Sequence, residues 1–260
     1  MRVLAGAGLV LALTAGAPQT TPARVFVWYR GTPAGTPQQN ELARWRAVGL
    51  SGVMWPAGLR TGEADFRRMA AVAGLELDVR DPAARTRDVE TIIVSQLRAP
   101  EGVAAVAWRA IARGVHEIAI DPGPPPGGAL TLPSGDLRPW VRPVVAVSRQ
   151  ISTNGELLGG LRSRSDVTFD APLVADLDVA LLEADRSWVV IATNTGRTLA
   201  RAAAHLPSGV RYALWVSLVD GSNMSMLREG TGAKWELEVP PGGALAYVID
   251  KERLTTGRPE

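Results

Sequence analysis

The sequence contains no cysteine and only two histidines. Without cysteine the chain forms no disulfide, no thiolate metal site and no cysteine nucleophile, so its stability has to come from packing. His116 and His205 lie far apart and lack the spacing of metal ligands, which argues against a histidine metal site. We therefore expect neither a metal nor another cofactor.

Lysine is almost absent as well, since Lys234 and Lys251 are the only two. The net charge of +2 rests on arginines that are spread along the chain. Basic residues neither cluster nor alternate with aromatic residues, as they do in nucleic-acid-binding proteins. The sequence thus predicts no nucleic-acid partner, and its arginine bias is typical of a bacterial genome composition.

Several catalytic motifs are missing. The stretch around Ser51 lacks the last glycine of a G-x-S-x-G elbow, and the glycines at 31 and 35 are not followed by the Lys-Ser/Thr of a phosphate loop. No G-x-G-x-x-G motif follows a predicted strand. These absences argue against a serine hydrolase of that type and against nucleotide binding.

The first 17 residues predict a secretory signal peptide. Arg2 precedes an apolar run that ends in Ala15-Gly16-Ala17, and Pro18 follows. The alternative is a membrane anchor, but a spanning helix needs about 20 apolar residues and this run is shorter. We expect cleavage after Ala17, a secreted or periplasmic protein, and no membrane span after cleavage.

From residue 24 to residue 122, short apolar strands alternate with amphipathic helices that end at glycine. This pattern predicts βαβ units and a parallel sheet. A complete eight-stranded barrel typically needs about 250 residues, and this region is much shorter. The predicted strands are Arg24–Tyr29, Ser51–Trp55, Leu75–Asp81, Thr91–Val94 and His116–Asp121, and a closing helix is predicted between Leu137 and Leu161.

After residue 165 the helical spacing disappears, and turn residues recur every eight to twelve positions. Short alternating strands between such turns predict an antiparallel β-sandwich. The sequence therefore predicts an α/β protein with a partial or shortened TIM-like (β/α) barrel followed by a small antiparallel β-sandwich. The predicted units are a signal peptide at 1–17, a barrel-like domain at 24–162 and a sandwich domain at 165–251.

Three segments resemble clan A glycoside hydrolases of the β-galactosidase-like kind. The segment Ala107-Trp-Arg-Ala-Ile-Ala-Arg-Gly-Val-His-Glu-Ile-Ala-Ile-Asp121 resembles their late helix–strand unit. The runs Trp188-Val-Val-Ile-Ala-Thr-Asn-Thr-Gly and Tyr212-Ala-Leu-Trp-Val-Ser-Leu-Val-Asp-Gly are similar to the sandwich appended to their barrels. The resemblance implies a shortened or degenerate glycosidase barrel and a carbohydrate partner.

The sequence departs from that family at its catalytic residues. Those enzymes carry an Asn-Glu pair at the end of the fourth strand, whereas Asn40-Glu41 begins a predicted helix and Asn154-Gly-Glu156 lies on the closing helix. About three βα units are missing as well. The family's catalytic residues therefore have no counterparts that can be carried over.

Functional residues of parallel βα folds gather at the carboxyl ends of the strands. Asp78 and Asp121 are the candidate catalytic pair, because glycosidases use two carboxyl groups about 5 to 9.5 Å apart. Aromatic rings stack on sugars, and Asp and Arg bind hydroxyl groups. The candidate substrate-binding residues are Trp28, Tyr29, Arg30, Trp55, Arg80 and Asp81.

Each candidate also has a structural interpretation. Asp81 and Asp121 precede prolines, where Asp commonly bonds its own backbone in a turn. Trp28 and Trp55 are both compatible with a core position, and Glu117 is expected to pair with a nearby arginine. Asp78 alternates with Leu77 and Val79 and points to the opposite face.

Two functional hypotheses follow. The first is a secreted glycoside-hydrolase-like protein that acts on or binds carbohydrate. The second is a non-catalytic carbohydrate-binding or structural protein, a pseudoenzyme derived from a glycosidase scaffold. Because a partial barrel leaves sheet edges unpaired, we also expect either an intimate domain interface or a homodimer.

Overall fold

The computed structural model describes residues 21–29, 39–59, 62–81, 88–97, 99–123, 139–163, 169–170, 176–205, 212–219, 223–227 and 234–250. The predicted signal peptide and most of the proline-rich loop lie outside these residues. Within them, no helix combines the length and the apolar character that a membrane crossing requires.

Five parallel strands form one sheet, which confirms the parallel arrangement predicted from the sequence. In sequence order they alternate mostly with helices, but their order in the sheet is β3-β2-β1-β5-β4. The first strand therefore pairs with the last one, and β3 and β4 are the two edges. The strands are β1 (Arg24–Trp28), β2 (Gly52–Pro56), β3 (Glu76–Arg80), β4 (Val89–Ile93) and β5 (Glu117–Asp121).

All four long helices pack on one face of this sheet. They are α1 (Gln39–Ala47), α2 (Glu63–Val72), α3 (Gly102–Ala112) and α4 (Val141–Thr153). Their buried residues join one cluster with the strand residues Val25, Val27, Val53, Ile118 and Ile120. Phe26, Trp28, Met54 and Ala119 form a separate small cluster. Because successive strand residues point to opposite faces, that cluster marks the face without helices, which we call the inner face.

The barrel is not closed among the described residues. The edge strands β3 and β4 are joined by residues 81–88, and eight residues are fewer than the dozen or so that a helical crossover requires. The other connections between neighbouring parallel strands each carry a helix. The connection between β3 and β4 is therefore too short to carry a crossover helix.

The closing helix is interrupted, in contrast to the single helix expected from the sequence. It is divided into α4 and a short α5 (Gly155–Gly159), with Asn154 between them. The Asn154 side chain donates a hydrogen bond to the Gln150 carbonyl (2.7 Å) and so satisfies the end of α4. Such side-chain bonds compete with continuation of a helix.

The second half of the chain contains two antiparallel sheets, as its turn spacing predicts. One has three strands in the order β13-β10-β7, and the other has six in the order β12-β11-β14-β9-β8-β6. The strands are β6 (Arg162–Ser163), β7 (Phe169–Asp170), β8 (Leu177–Glu183), β9 (Ser187–Asn194), β10 (Ala200–His205), β11 (Tyr212–Ser217), β12 (Asn223–Leu227), β13 (Lys234–Val239) and β14 (Ala244–Asp250).

Helix α3 lies between the parallel sheet and the six-stranded sheet. Val189 and Ile191 of β9 belong to the same buried cluster as the parallel strands, so the two halves share one core. Trp108 of α3 is fully buried and donates to Gln150 of α4 (3.3 Å), which in turn donates to the Val219 carbonyl (2.9 Å). The two halves of the chain are thus in direct contact through this core.

Candidate functional site

The candidate aromatic residues lie on two different faces of the parallel sheet. Tyr29 and Trp55 point toward the helices, where their rings stack with centroids 4.7 Å apart and both contact Phe66. They are 4% and 1% exposed, so neither ring presents a face to solvent in this structure. The Trp55 indole also donates to the Leu59 carbonyl at 2.6 Å.

Trp28 lies on the inner face. Its ring packs with Phe26, Met54 and Ala119, and its indole nitrogen donates to Thr91 of β4 (3.4 Å). Its exposed fraction is 5%. Among the candidate aromatic residues, it alone shares a face with the candidate carboxylates.

The inner face carries a chain of ion pairs that begins with Arg24. Arg24 donates to Glu76 of β3 (2.5 Å) and to Glu117 of β5 (2.7 Å). Its guanidinium also lies over the Phe26 ring, 5.3 Å from the centroid. Arg24 thus links strands β3 and β5 from its position on β1 between them.

Arg80 extends this chain of ion pairs. Its Nε donates to Asp78 (2.5 Å) and its Nη2 donates to Glu117 (2.6 Å). One guanidinium therefore holds both carboxylates, which places them within about 7 Å of each other. We call these linked side chains the inner-face group; its members are Arg24, Glu76, Asp78, Arg80 and Glu117. Glu117 has 11% of its side chain exposed and Arg80 27%, so the inner-face group is accessible at one end and buried at the other.

The contact between Arg80 and Glu117 requires the sheet to curl. Two strands separate β3 from β5, so in a flat sheet their backbones would lie about 14 Å apart. Arg80 moreover ends its strand, whereas Glu117 begins its own. A 2.6 Å contact between them shows that the inner face is concave.

Two opposing effects act on the Arg80 guanidinium. Burial disfavours its charged form and alone would lower the pKa of Arg80. The hydrogen bonds and negative charges of Asp78 and Glu117 outweigh burial and raise the pKa of Arg80 above its ordinary value. Arg80 is therefore a fixed cation at the centre of the group.

The two candidate catalytic residues lie on the inner face but have different surroundings. Asp78 of β3 is in register with Met54 of the neighbouring strand β2, and Asp121 lies three strands away on β5. Asp78 is bound by Arg80, whereas Asp121 is 3% exposed and accepts the Gly123 backbone N–H (3.0 Å). Asp121 thus makes the strand-exit turn considered from the sequence.

Two further candidates lie at or beyond the end of a strand. Asp81 directly follows β3 and is exposed, while Arg30 lies outside the described residues. Of the eight candidates, the structure brings Asp78 into contact with Arg80 and Tyr29 into contact with Trp55. The catalytic and substrate-binding roles assigned to the eight from the sequence stay predictions.

Sequence reasoning overlooked two members of the group, Arg24 and Glu76, and treated Glu117 as structural. Glu117 does pair with arginines, as expected, but it also connects Arg24 with Arg80. The available signal was the alternation of Glu117, Ala119 and Asp121, which places all three on one face. No group of three or more His, Asp or Glu side chains within the described part of the chain is arranged to hold a metal ion.

Comparisons with known proteins leave the family of this chain open. No protein-family model matches the sequence, and no curated protein does. Among solved structures, the chain is similar to a GH30 endoxylanase from Clostridium papyrosolvens C71, with 9% identity, a TM-score of 0.41, and coverage of 89% of this chain and 98% of that one.

Two other structures show a comparable likeness. The glycoside hydrolase family 30 subfamily 8 xylanase Xyn30A from Clostridium acetobutylicum has 10% identity and a TM-score of 0.39, with 80% of this chain and 59% of that chain covered. The α-amylase from Geobacillus thermoleovorans has 10% identity and a TM-score of 0.42, with 82% and 63% covered. The chain thus spans about six-tenths of these two proteins. A likeness at this level assigns no activity to the chain.

The inner-face group is suited to hydrogen bonding with a polar ligand. Carboxylates accept and guanidinium groups donate, and charge-assisted bonds of this kind are stronger than neutral ones. The mutual contacts fix the side chains before a ligand arrives, which reduces the entropy lost on binding. Asp78, Arg80 and Glu117 therefore form a preorganised polar surface.

Proposed function

We propose that this protein binds carbohydrate on the concave inner face of a shortened (β/α) barrel and does not hydrolyse it. The observation that carries the proposal is the bridge from Arg80 to Asp78 and Glu117. Sugar hydroxyl groups are both donors and acceptors, so fixed carboxylate and guanidinium groups can bind them from either side.

The strand order supports the shortened barrel. β1 pairs with both β2 and β5, and the long helices pack on one face only, as they do around a barrel. A doubly wound sheet would instead carry helices on both faces. We infer that the βα units absent from this chain would fill the gap between β3 and β4. The sequence resemblance to clan A glycoside hydrolases agrees with this scaffold.

The position of Arg80 argues against hydrolysis through the pair of carboxylates that it bridges. A glycosidase needs one carboxyl group to hold a proton, and the scissile bond must lie between the two groups. Here the Arg80 guanidinium lies between Asp78 and Glu117 and donates to both. The guanidinium therefore occupies the space that the scissile bond would need.

The proposed setting is outside the cytoplasm. It is supported by the signal-peptide pattern at 1–17 and, for a bacterial host, by the arginine-rich composition. A homodimer formed through the open edges β3 and β4 is the corresponding assembly proposal, and the size of the purified protein in solution tests it.

A binding panel and a turnover assay together test the proposed function. The purified protein is titrated calorimetrically with neutral oligosaccharides and incubated with a panel of aryl glycosides. We expect saturable binding of at least one oligosaccharide and no release of the aryl group. Asp78→Asn should weaken binding about tenfold, because a charged acceptor is replaced by a neutral amide.

The matched control is Asp65→Asn. Like Asp78, Asp65 pairs with an arginine nearby in the sequence, in this case Arg68, but the Asp65–Arg68 pair is exposed on α2. This variant should bind like the wild type. Equal weakening in both variants, or no binding of any sugar, would refute the proposal. Aryl glycoside turnover that Asp121→Asn abolishes would instead establish a glycosidase.

A further inference from the structure

A polar cavity lies at the amino-terminal end of the parallel sheet, away from the strand carboxyl ends. Its volume is about 600 Å³. Ala23 and Arg24 at the start of β1 and Ser51 before β2 form one wall, and residues near the junction of α4 and α5 form another. None of the carbohydrate-site candidates from the sequence lines it.

Two arginines line this cavity without carboxylate partners. Arg46 is near the end of α1 and donates to the Leu50 carbonyl (3.4 Å). Arg149 of α4 donates to the Ala47 carbonyl (3.2 Å). Both residues are exposed, and among the described residues no ion pair joins either guanidinium to an acidic group.

The two anchoring carbonyls are those of Ala47, the last residue of α1, and Leu50, three residues later, so both arginines are tied to the same end of α1. Each of these bonds occupies one of the five N–H donors of its guanidinium. The dipole of α1 favours cations at its carboxyl end, which explains the one bond that each arginine makes to a carbonyl there. It does not explain the remaining N–H donors of the two guanidinium groups. Those donors face a cavity or solvent.

The other groups around the cavity suit an anion. Ser51 and Thr153 contribute hydroxyl groups, whereas the Ser152 hydroxyl donates to the Arg149 carbonyl (3.4 Å). Arg24 also lines the cavity, but its charge is engaged by Glu76 and Glu117.

The only acidic residue that lines the cavity among the described residues is Glu156, which is exposed. Arg46 and Arg149 together outweigh it, so the cavity carries a net positive charge. Like charges that line one cavity repel each other, and an anion between them offsets that repulsion.

We propose that Arg46 and Arg149 form an oxyanion-binding site for a small ligand that carries a phosphate or a carboxylate. Two guanidinium forks with adjacent hydroxyl groups match the oxygens of either group. Arg24 lies between this cavity and the inner-face group, but the proposed anion-binding donors, Arg46 and Arg149, do not belong to that group and do not depend on carbohydrate binding there.

The test titrates the full-length chain with inorganic phosphate, D-glucuronate and, as the uncharged comparison, D-glucose. Binding is followed by chemical-shift changes in NMR spectra, at constant ionic strength maintained with sodium chloride. We expect phosphate or glucuronate to bind. Arg149→Gln and Arg46→Gln should each weaken that binding about tenfold, because each removes one charged donor.

Arg44→Gln is the matched control, since Arg44 is exposed on the same helix but does not line the cavity. Its affinity should equal that of the wild type. Phosphate binding alone identifies a phosphate site, and glucuronate binding identifies a carboxylate site.

The proposal is wrong if neither anion binds, if Arg149→Gln weakens the binding of glucose as much as that of the anions, or if Arg44→Gln weakens anion binding as much as Arg149→Gln. Melting temperatures of all variants verify that they fold. Asp78→Asn should leave anion binding unchanged, so this result is independent of the carbohydrate proposal.

Discussion

Glu117→Gln is the substitution that best isolates the inner-face ion pairs. Glu117 accepts bonds from Arg24 (2.7 Å) and Arg80 (2.6 Å), and only 11% of its side chain is exposed. Glutamine has the same shape but no charge and one acceptor oxygen instead of two. The variant therefore leaves two neighbouring cations with less counter-charge.

The structure gives the size of the effect. Hydrogen bonds to charged groups contribute about 1.5–3 kcal/mol each. Glutamine retains one acceptor, and the 27% exposure of both arginines lets water compensate in part. We expect a loss of about 2–3 kcal/mol in the free energy of unfolding, which corresponds to a decrease of about 4–12 °C in melting temperature.

Urea unfolding followed by circular dichroism measures this loss. The matched control is Glu238→Gln, because Glu238 also pairs with an arginine, Arg201, but both side chains are more than half exposed. Exposed pairs contribute about 0–1 kcal/mol, so the control should change stability little. A loss below about 0.5 kcal/mol in Glu117→Gln, or equal losses in the two variants, would refute a structural role for the bridge.

Two further substitutions test the packing around the site. In Gly159→Ala the new methyl carbon would lie 2.1 Å from the Thr21 carbonyl oxygen. We therefore expect the free energy of unfolding, measured with a chemical denaturant, to fall by more than about 2 kcal/mol. In the control Gly160→Ala the nearest atom is 3.6 Å away, and the free energy of unfolding should change by less than about 1 kcal/mol. Gln150→Leu should lower the free energy of unfolding by about 1–3 kcal/mol, because the buried Trp108 indole loses its hydrogen-bond acceptor at the contact between the two halves of the chain. An unchanged unfolding midpoint would contradict this coupling.

Most of the secondary structure could be predicted from the sequence because its signals are local. Glycines at positions such as Gly74 and Gly114 adopt positive φ angles of 72° and 83°, which confirms their use as helix ends. The alternation along β3 is enough to place Asp78 on the face opposite Leu77 and Val79. Asn154 is the main exception, because its side-chain bond to the backbone interrupts a helix that the apolar spacing would continue.

The site could be predicted only in part, because it depends on long-range geometry. Trp28 is the last residue of β1 and Tyr29 continues the extended chain, so the two rings point to opposite faces of the sheet and a single site cannot use both. The contact between Arg80 and Glu117 joins residues 37 positions apart and depends on the strand order and on the curl of the sheet. Neither property follows from local sequence patterns.

Hydrogen–deuterium exchange with and without a bound oligosaccharide tests the central claim most directly, because it locates the ligand on the fold. If carbohydrate binds the inner face, amide protection should increase at 76–81 and 117–123, where Asp78, Arg80 and Glu117 lie. The antiparallel strands around Trp188 should exchange as before. Protection confined to the antiparallel sheets, with no change in β3 and β5, would contradict the account.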